Sequence, residues 1–249
     1  MNNNYVAIMA GGVGSRFWPA SSEEKPKQFL DIAGTGKSLL EETYMRFKKV
    51  FPKSNIFIVT NSKYKKLVQN TINDIAEENI IIEPSRNNTA PSVAYTTFKL
   101  HSLNKDANIV IAPSDHIISK EKVFLDKIQI ALEFTKNNDS ILTLGITPDR
   151  PDTGYGYIEK GQKINDSNLY TVQKFKEKPD YNTALSYIES GNYLWNAGIF
   201  IFSAQNMMSS LKKYASEIYK IFNNGVSIYN TEKESEYINS EYPKSPKYQ

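Results

Sequence analysis

Through the first ~150 residues, short β-branched runs alternate with longer amphipathic stretches, and that rhythm restricts the chain to few folds. The runs fall at 5–10, 56–60, 80–83, 109–112 and 141–145. The helix-like stretches between them fall at 39–50, 63–77, 91–103 and 122–136. A strand–helix–strand repeat of this kind predicts an α/β fold with a mixed, mainly parallel central sheet flanked by helices. Ligands in such folds sit at the carboxyl ends of the strands. The chemistry is therefore expected in the residues that directly follow each apolar run.

Beyond residue 150 the pattern changes. Residues 154–159 and 171–178 read as strands separated by a polar turn at 165–168. A helix over Tyr181–Ser190, a strand over 199–202 and a helix over Ala204–Tyr214 complete this half. It is expected to form a smaller mixed β layer on the same sheet. The segment 223–249 is polar and without clear periodicity. Its tyrosines (Tyr229, Tyr237, Tyr242, Tyr248) are read as an amphipathic surface. The expected organisation is one domain over 1–249: a nucleotide-binding half (1–150), a second half (151–222) and a polar C-terminal segment (223–249).

Composition narrows the function classes. With 30 Lys+Arg against 27 Asp+Glu the net charge is +3. That is too mild to support broad nucleic-acid or membrane-surface binding. The absence of cysteine excludes disulfides, thiolate catalysis and cysteine metal sites. No basic, apolar leader precedes the first strand-like run. No apolar stretch approaches the ~20 residues that span a bilayer. A cytoplasmic protein is expected, with neither nucleic acid nor membrane as partner.

The first run opens directly into Gly11-Gly12-Val13-Gly14-Ser15-Arg16-Phe17-Trp18-Pro19. Glycines let the backbone approach a ligand and turn its N–H groups toward an anion, and an arginine fork suits phosphate oxygens. Pro26-Lys27-Gln28 then returns a second cation toward the same mouth. Together these make a triphosphate cradle. It is not the dinucleotide fingerprint, whose third glycine is replaced by Phe17. Nor is Gly34-Thr35-Gly36-Lys37-Ser38 a phosphate-binding Walker loop. It lacks the earlier glycine (Asp31 stands there) and a preceding strand, so a surface turn is expected.

Gly11-Gly12-x-Gly14-x-Arg16-x-Trp18-Pro19-x-Ser21, followed by Pro26-Lys27-Gln28-Phe29, resembles the signature of the sugar-nucleotide pyrophosphorylases. Its Trp-Pro-x-Ser portion points to the mannose-1-phosphate guanylyltransferases. The resemblance implies a Rossmann-like nucleotidyltransferase fold and the reaction GTP + mannose 1-phosphate → GDP-mannose + diphosphate. It implies that Gly11, Gly12, Gly14 and Ser15 bind the nucleotide and that Arg16 and Lys27 act on the triphosphate. Glu83, Asn88 and Thr89, in Glu83-Pro84-Ser85-Arg86-Asn87-Asn88-Thr89-Ala90-Pro91, would face the nucleoside. Asn88 or Thr89 could equally cap the helix that follows.

Asp115, in Ala112-Pro113-Ser114-Asp115-His116, ends a strand. A carboxylate there can hold Mg²⁺, a hard cation that takes carboxylate, water and phosphate oxygens, and the resemblance gives Asp115 that metal and catalytic role. His116 is read as structural. Glycines inside the run at 154–158 mark a bulge or a close approach. By resemblance that segment lines the sugar site, with Gly156 its best residue. Glu177 and Lys178, in Glu-Lys-Pro, would hold the sugar hydroxyls and the sugar phosphate. Asn196, in Asn-Ala-Gly-Ile-Phe, would bond the sugar, and Trp195 is read as packing.

Two departures stand out. The family's arginine directly before Asn-Thr-Ala-Pro is Asn87 here, with Arg86 one residue earlier. A second metal-binding aspartate, expected near the C-terminal end, is absent. A truncated product, or weaker metal binding, is the expectation that follows. A pyrophosphorylase for another nucleotide and hexose 1-phosphate, and a catalytically weak nucleotide-sugar-binding protein, remain as alternatives. A homodimer is allowed for.

Overall fold

The computed structural model describes residues 3–12, 19–165 and 167–248. The chain divides into two compact units, Met1–Leu142 with Phe200–Gln249, and Thr143–Ile199.

In the first unit, β1 (Asn4–Met9) lies between two parallel partners, β2 (Ile56–Asn61) and β4 (Asn108–Pro113). β3 (Ile80–Glu83) extends the sheet beyond β2, also parallel. These strands read as continuous apolar runs because both of their faces are covered; Val6, Ala7 and Ile8 have no exposed surface. The Phe200–Ser203 end of β8 (Tyr193–Ser203) pairs antiparallel with β4. The sheet is mixed and mainly parallel, as the strand–helix alternation predicts.

Helices α1 (Leu39–Phe47), α2 (Lys65–Thr71), α3 (Thr89–Leu103) and α4 (Glu121–Asn137) connect these strands. Ser38 caps α1 by accepting from the Glu41 N–H at 3.2 Å. α2 stops well short of the expected 77. Asn70, Thr71, Asn73 and Asp74 are weak helix formers, and the Asp74 carboxylate instead bonds Lys48 and Lys53. α3 is buried almost all the way round, as a helix becomes when elements pack on both sides. On its far side lie α6 (Ala204–Tyr214) and α7 (Ser216–Asn224).

The C-terminal segment corrects the sequence reading. Residues 223–248 are not an irregular amphipathic surface. They include α8 (Glu234–Glu241) and a 3-10 turn at Tyr242–Lys244. Tyr229, Ile238 and Tyr242 enter the core that contains Tyr95, Phe98 and Phe222. The reason lies in α3, whose polar outer face needs partners that water cannot supply. Glu234 accepts from Tyr95 Oη at 2.7 Å, Lys99 Nζ at 2.6 Å and the Asn230 N–H at 2.7 Å. Of the four tyrosines only Tyr248 is substantially exposed.

The second unit holds β5 (Leu142–Ile146), the antiparallel pair β6 (Gly156–Lys163) and β7 (Tyr170–Glu177), helix α5 (Tyr181–Ser190) and the first part of β8. β8 pairs antiparallel with β6 through Tyr193, Leu194 and Trp195. It starts six residues earlier than the 199–202 expected. A glycine inside an apolar run reads as a break, but the strand passes through Gly198 at φ +67°, with Trp195, Ala197, Ile199 and Ile201 buried at alternate positions. α5 is bounded as predicted, by the Asp180 side chain accepting from Thr183 N–H and by left-handed Gly191.

Candidate active site

At the carboxyl end of β1 the chain emerges as Ala10-Gly11-Gly12. The Ala10 carbonyl accepts from Thr60 Oγ1 and from Gln28 Nε2, each at 3.0 Å. The Gly12 carbonyl accepts from the same Gln28 amide at 3.0 Å. Gln28 is buried, so one carboxamide staples the returning 3-10 turn Lys27–Phe29 to the strand exit. This staple was present in the Pro-Lys-Gln motif, but its role was not legible there. Its consequence is the placement of Lys27, whose ammonium forms an ion pair with the Asp115 carboxylate, both partly exposed. The two candidate charges, 88 residues apart in sequence, thus meet.

Asp115 follows β4. The Ser114 N–H donates to the Met9 carbonyl at 3.2 Å, and Thr43 Oγ1 on α1 donates to the Ser114 carbonyl at 3.4 Å. The strand exit is therefore held from both sides. Burial pushes the His116 imidazole below its ordinary value; the Lys27 and Arg46 charges add to that, against the opposing pull of Asp115. A neutral imidazole in this position fits the structural role read for it.

Glu83 closes β3 beside the same mouth. A Cβ built on Gly11 would lie 3.4 Å from Glu83 Oε2, whereas one on Gly12 would meet none of the described residues within 4 Å. Burial pushes the Glu83 carboxyl above its ordinary value, and hydrogen bonds from Tyr242 and Ser92 pull it back. Asn88 precedes α3 with φ +65° and ψ −164°, a region uncommon for any residue but glycine. Its side chain makes no capping bond to the helix. It donates instead to the Lys247 carbonyl at 3.2 Å. Thr89 is the first residue of α3 and is exposed. Gly14, Ser15 and Arg16 lie outside the described residues.

Gly34–Lys37 is an exposed turn, as expected. The Asp31 carboxylate accepts from the Thr35 N–H at 3.0 Å and the Gly36 N–H at 2.8 Å.

In the second unit, the four expected sugar-site residues converge. Gly156 pairs with Glu177 across β6 and β7. A Cβ on Gly156 would lie 2.8 Å from Glu177 Oε2 and 3.7 Å from Asn196 Cβ. A side chain there would therefore displace the carboxylate. Asn196 is oriented by Thr143 Oγ1 at 3.1 Å and by the Gly198 N–H at 3.0 Å, both donating to its Oδ1, which leaves its amide N–H₂ to be offered elsewhere. Lys178 ends the strand at φ +42°, an unusual conformation for lysine, and pairs with Glu177 at 3.0 Å. Trp195 is core: it packs with Tyr157 and Ala184 and carries Arg150 over its ring at 5.0 Å.

A family model described as nucleotidyl transferase matches residues 5–240. The chain belongs to the nucleotidyl transferase family. The chain is 39% identical over 235 residues to the mannose-1-phosphate guanylyltransferase of Salmonella muenchen, covering 92% of this chain and 49% of the relative. It is also 39% identical over 228 residues to mannose-1-phosphate guanylyltransferase 2 of Escherichia coli O157:H7, covering 87% and 46%. Among solved structures it matches the mannose-1-phosphate geranyltransferase of Thermus thermophilus, so named, with TM-score 0.87 and 27% identity. That match covers 99% of this chain and 69% of the other. The chain spans about half the length of the curated relatives it matches. Among the described residues no helix is long and apolar enough to cross a membrane.

Proposed function

We propose that the protein transfers GMP from GTP to mannose 1-phosphate, releasing diphosphate. The observation that carries this reading is the meeting of Lys27 with Asp115 at the strand exits beside Gly11, Gly12 and Glu83. Cation, carboxylate and a glycine backbone at the strand exit match what a nucleoside triphosphate requires. Relatives named for this reaction support the choice of base and sugar.

The chemistry needs no protein nucleophile. The sugar phosphate attacks the α-phosphorus in line and diphosphate leaves, so catalysis consists of positioning and charge neutralisation. Amides of Gly11, Gly12, Gly14 and Ser15, with Arg16 and Lys27, hold the triphosphate. Glu83, Asn88 and Thr89 face the nucleoside. Lys178 binds the phosphate of the sugar while Gly156, Glu177 and Asn196 hold its hydroxyls. Among the described residues no cluster of three or more acidic or histidine side chains could cage a metal ion. One carboxylate beside a phosphate site nevertheless suits Mg²⁺, which commonly takes one or two carboxylates with phosphate and water. Asp115 is the residue that would hold it, and when bound the ion neutralises phosphate charge. We place the protein in the cytoplasm, and a homodimer is compatible with this reading.

Replacing Lys27 with Ala tests the assignment. Turnover is expected to fall by two or more orders of magnitude, in line with the loss of a preorganised charge at a reacting phosphate, with the melting temperature little changed because Gln28 retains its staple. Near-normal diphosphate release by the variant would sink the assignment.

A further inference from the structure

We propose that Tyr242 is a positioning residue for nucleotide binding, its hydroxyl fixing the Glu83 carboxylate at the end of β3 beside the Gly11 backbone. The inference rests on the reading of Glu83 as nucleotide-facing.

Tyr242 has no exposed surface. Its ring meets Tyr95 edge-on at 6.1 Å and Phe222 at 5.6 Å between centroids. Its backbone is fixed as firmly. The Tyr242 carbonyl accepts from Ser245 Oγ at 2.7 Å and from the Ser245 N–H at 3.0 Å. The buried Asn87 amide donates to the Tyr242 carbonyl at 3.2 Å, and to Ser245 O and Oγ at 2.9 and 3.0 Å. Asn87 stands where the family pattern places arginine, and here it ties the segment carrying Glu83 to the turn carrying Tyr242. A second tie follows from Asn88 to the Lys247 carbonyl, and a third from the Ala90 N–H to the Tyr248 carbonyl at 3.2 Å.

Held in this way, the ring delivers its hydroxyl to Glu83 Oε1. The other oxygen, Oε2, is the one next to Gly11. A partly buried carboxylate held at Oε1 by this hydroxyl, with Ser92 as a further donor, keeps a single orientation for Oε2. Without that bond it can turn, or take up a proton, because burial already favours its neutral form. Packing alone does not call for this hydroxyl, since phenylalanine would fill the same space against Tyr95 and Phe222. The hydroxyl's partner is Glu83.

The test is the affinity of the full chain for GTP, by titration calorimetry across pH 5–8, in four forms: unsubstituted, Tyr242→Phe, Glu83→Gln and the double variant, each checked for its melting transition. Tyr242→Phe is expected to weaken GTP about ten-fold, the size of one lost hydrogen bond to a charged group. The acid limb of binding should move to higher pH, since the Tyr242 bond lowers the Glu83 carboxyl. In the double variant, Tyr242→Phe should add nothing to Glu83→Gln, because it acts through that residue. Parental affinity in Tyr242→Phe, or losses that multiply in the double variant, overturns the inference while leaving the reading of Glu83 standing. Parental affinity in Glu83→Gln overturns that reading and the inference with it. Should Tyr242→Phe not fold, Ser245→Ala, which slackens the same turn, is read by the same criteria.

Discussion

Glu83 is a residue at which burial and charge oppose each other. Its carboxyl is pushed up by burial, so between the unfolded and folded values the native chain binds more protons than the unfolded one. Stability then falls as pH rises through that window. Glu83→Gln keeps the size of the side chain and removes the partly buried charge. The variant is expected to melt above the parent at pH 7, by about 2–4 °C for each kcal/mol recovered. The difference should close as pH falls toward the ordinary glutamate value near ~4.3. A variant that melts lower at pH 7, with no pH dependence in the difference, contradicts this. The same carboxylate is thus costly to the fold and useful to the site. Glu83 was legible in sequence through the resemblance of the motif Glu83–Pro91 to the family's, where it follows a strand-like run. Gln28, Asn87 and Tyr242 were less so. Their work is done by single amides and hydroxyls aimed at partners far along the chain, and nothing in local periodicity encodes a partner 155 residues away.

Among the elements, strands β1 to β4 and helices α1, α3 and α4 follow closely from hydrophobic periodicity, because each buries one continuous apolar run or face. The C-terminal segment did not. Its apolar residues are few, spaced by polar ones, and become core only once α3 offers them a surface. Tyr229 shows what the segment contributes. It is buried among Tyr95 and Tyr237, and its hydroxyl donates to the Phe222 carbonyl at 2.6 Å. Burial pushes that phenol far above its ordinary value. Tyr229→Ala is expected to cost about 3–5 kcal/mol, as other large aromatic truncations in cores do, measured by denaturant unfolding. A cost within about 0.5 kcal/mol, typical of surface positions, would return the segment to the surface role read from the sequence. The Lys99–Glu234 pair belongs to the same argument. Such a pair is better read as fixing the segment's register than as a source of net stability.

For the molecule as a whole, the strand–helix alternation placed the catalytic candidates at strand ends, and Gly11, Glu83, Lys27 and Asp115 lie together there. The triphosphate loop and the sugar-site residues fall in different units, each with its own internal geometry. One measurement tests the proposed reaction directly. The chain is incubated with Mg²⁺ and each pairing of GTP, ATP, UTP or dTTP with mannose 1-phosphate or glucose 1-phosphate, and nucleotide sugar and diphosphate are quantified together. The account predicts GDP-mannose and diphosphate in equal amounts from GTP and mannose 1-phosphate, at a rate at least ten-fold above every other pair. Faster turnover of another pair, or binding of GDP-mannose with no diphosphate released from any pair, would contradict it.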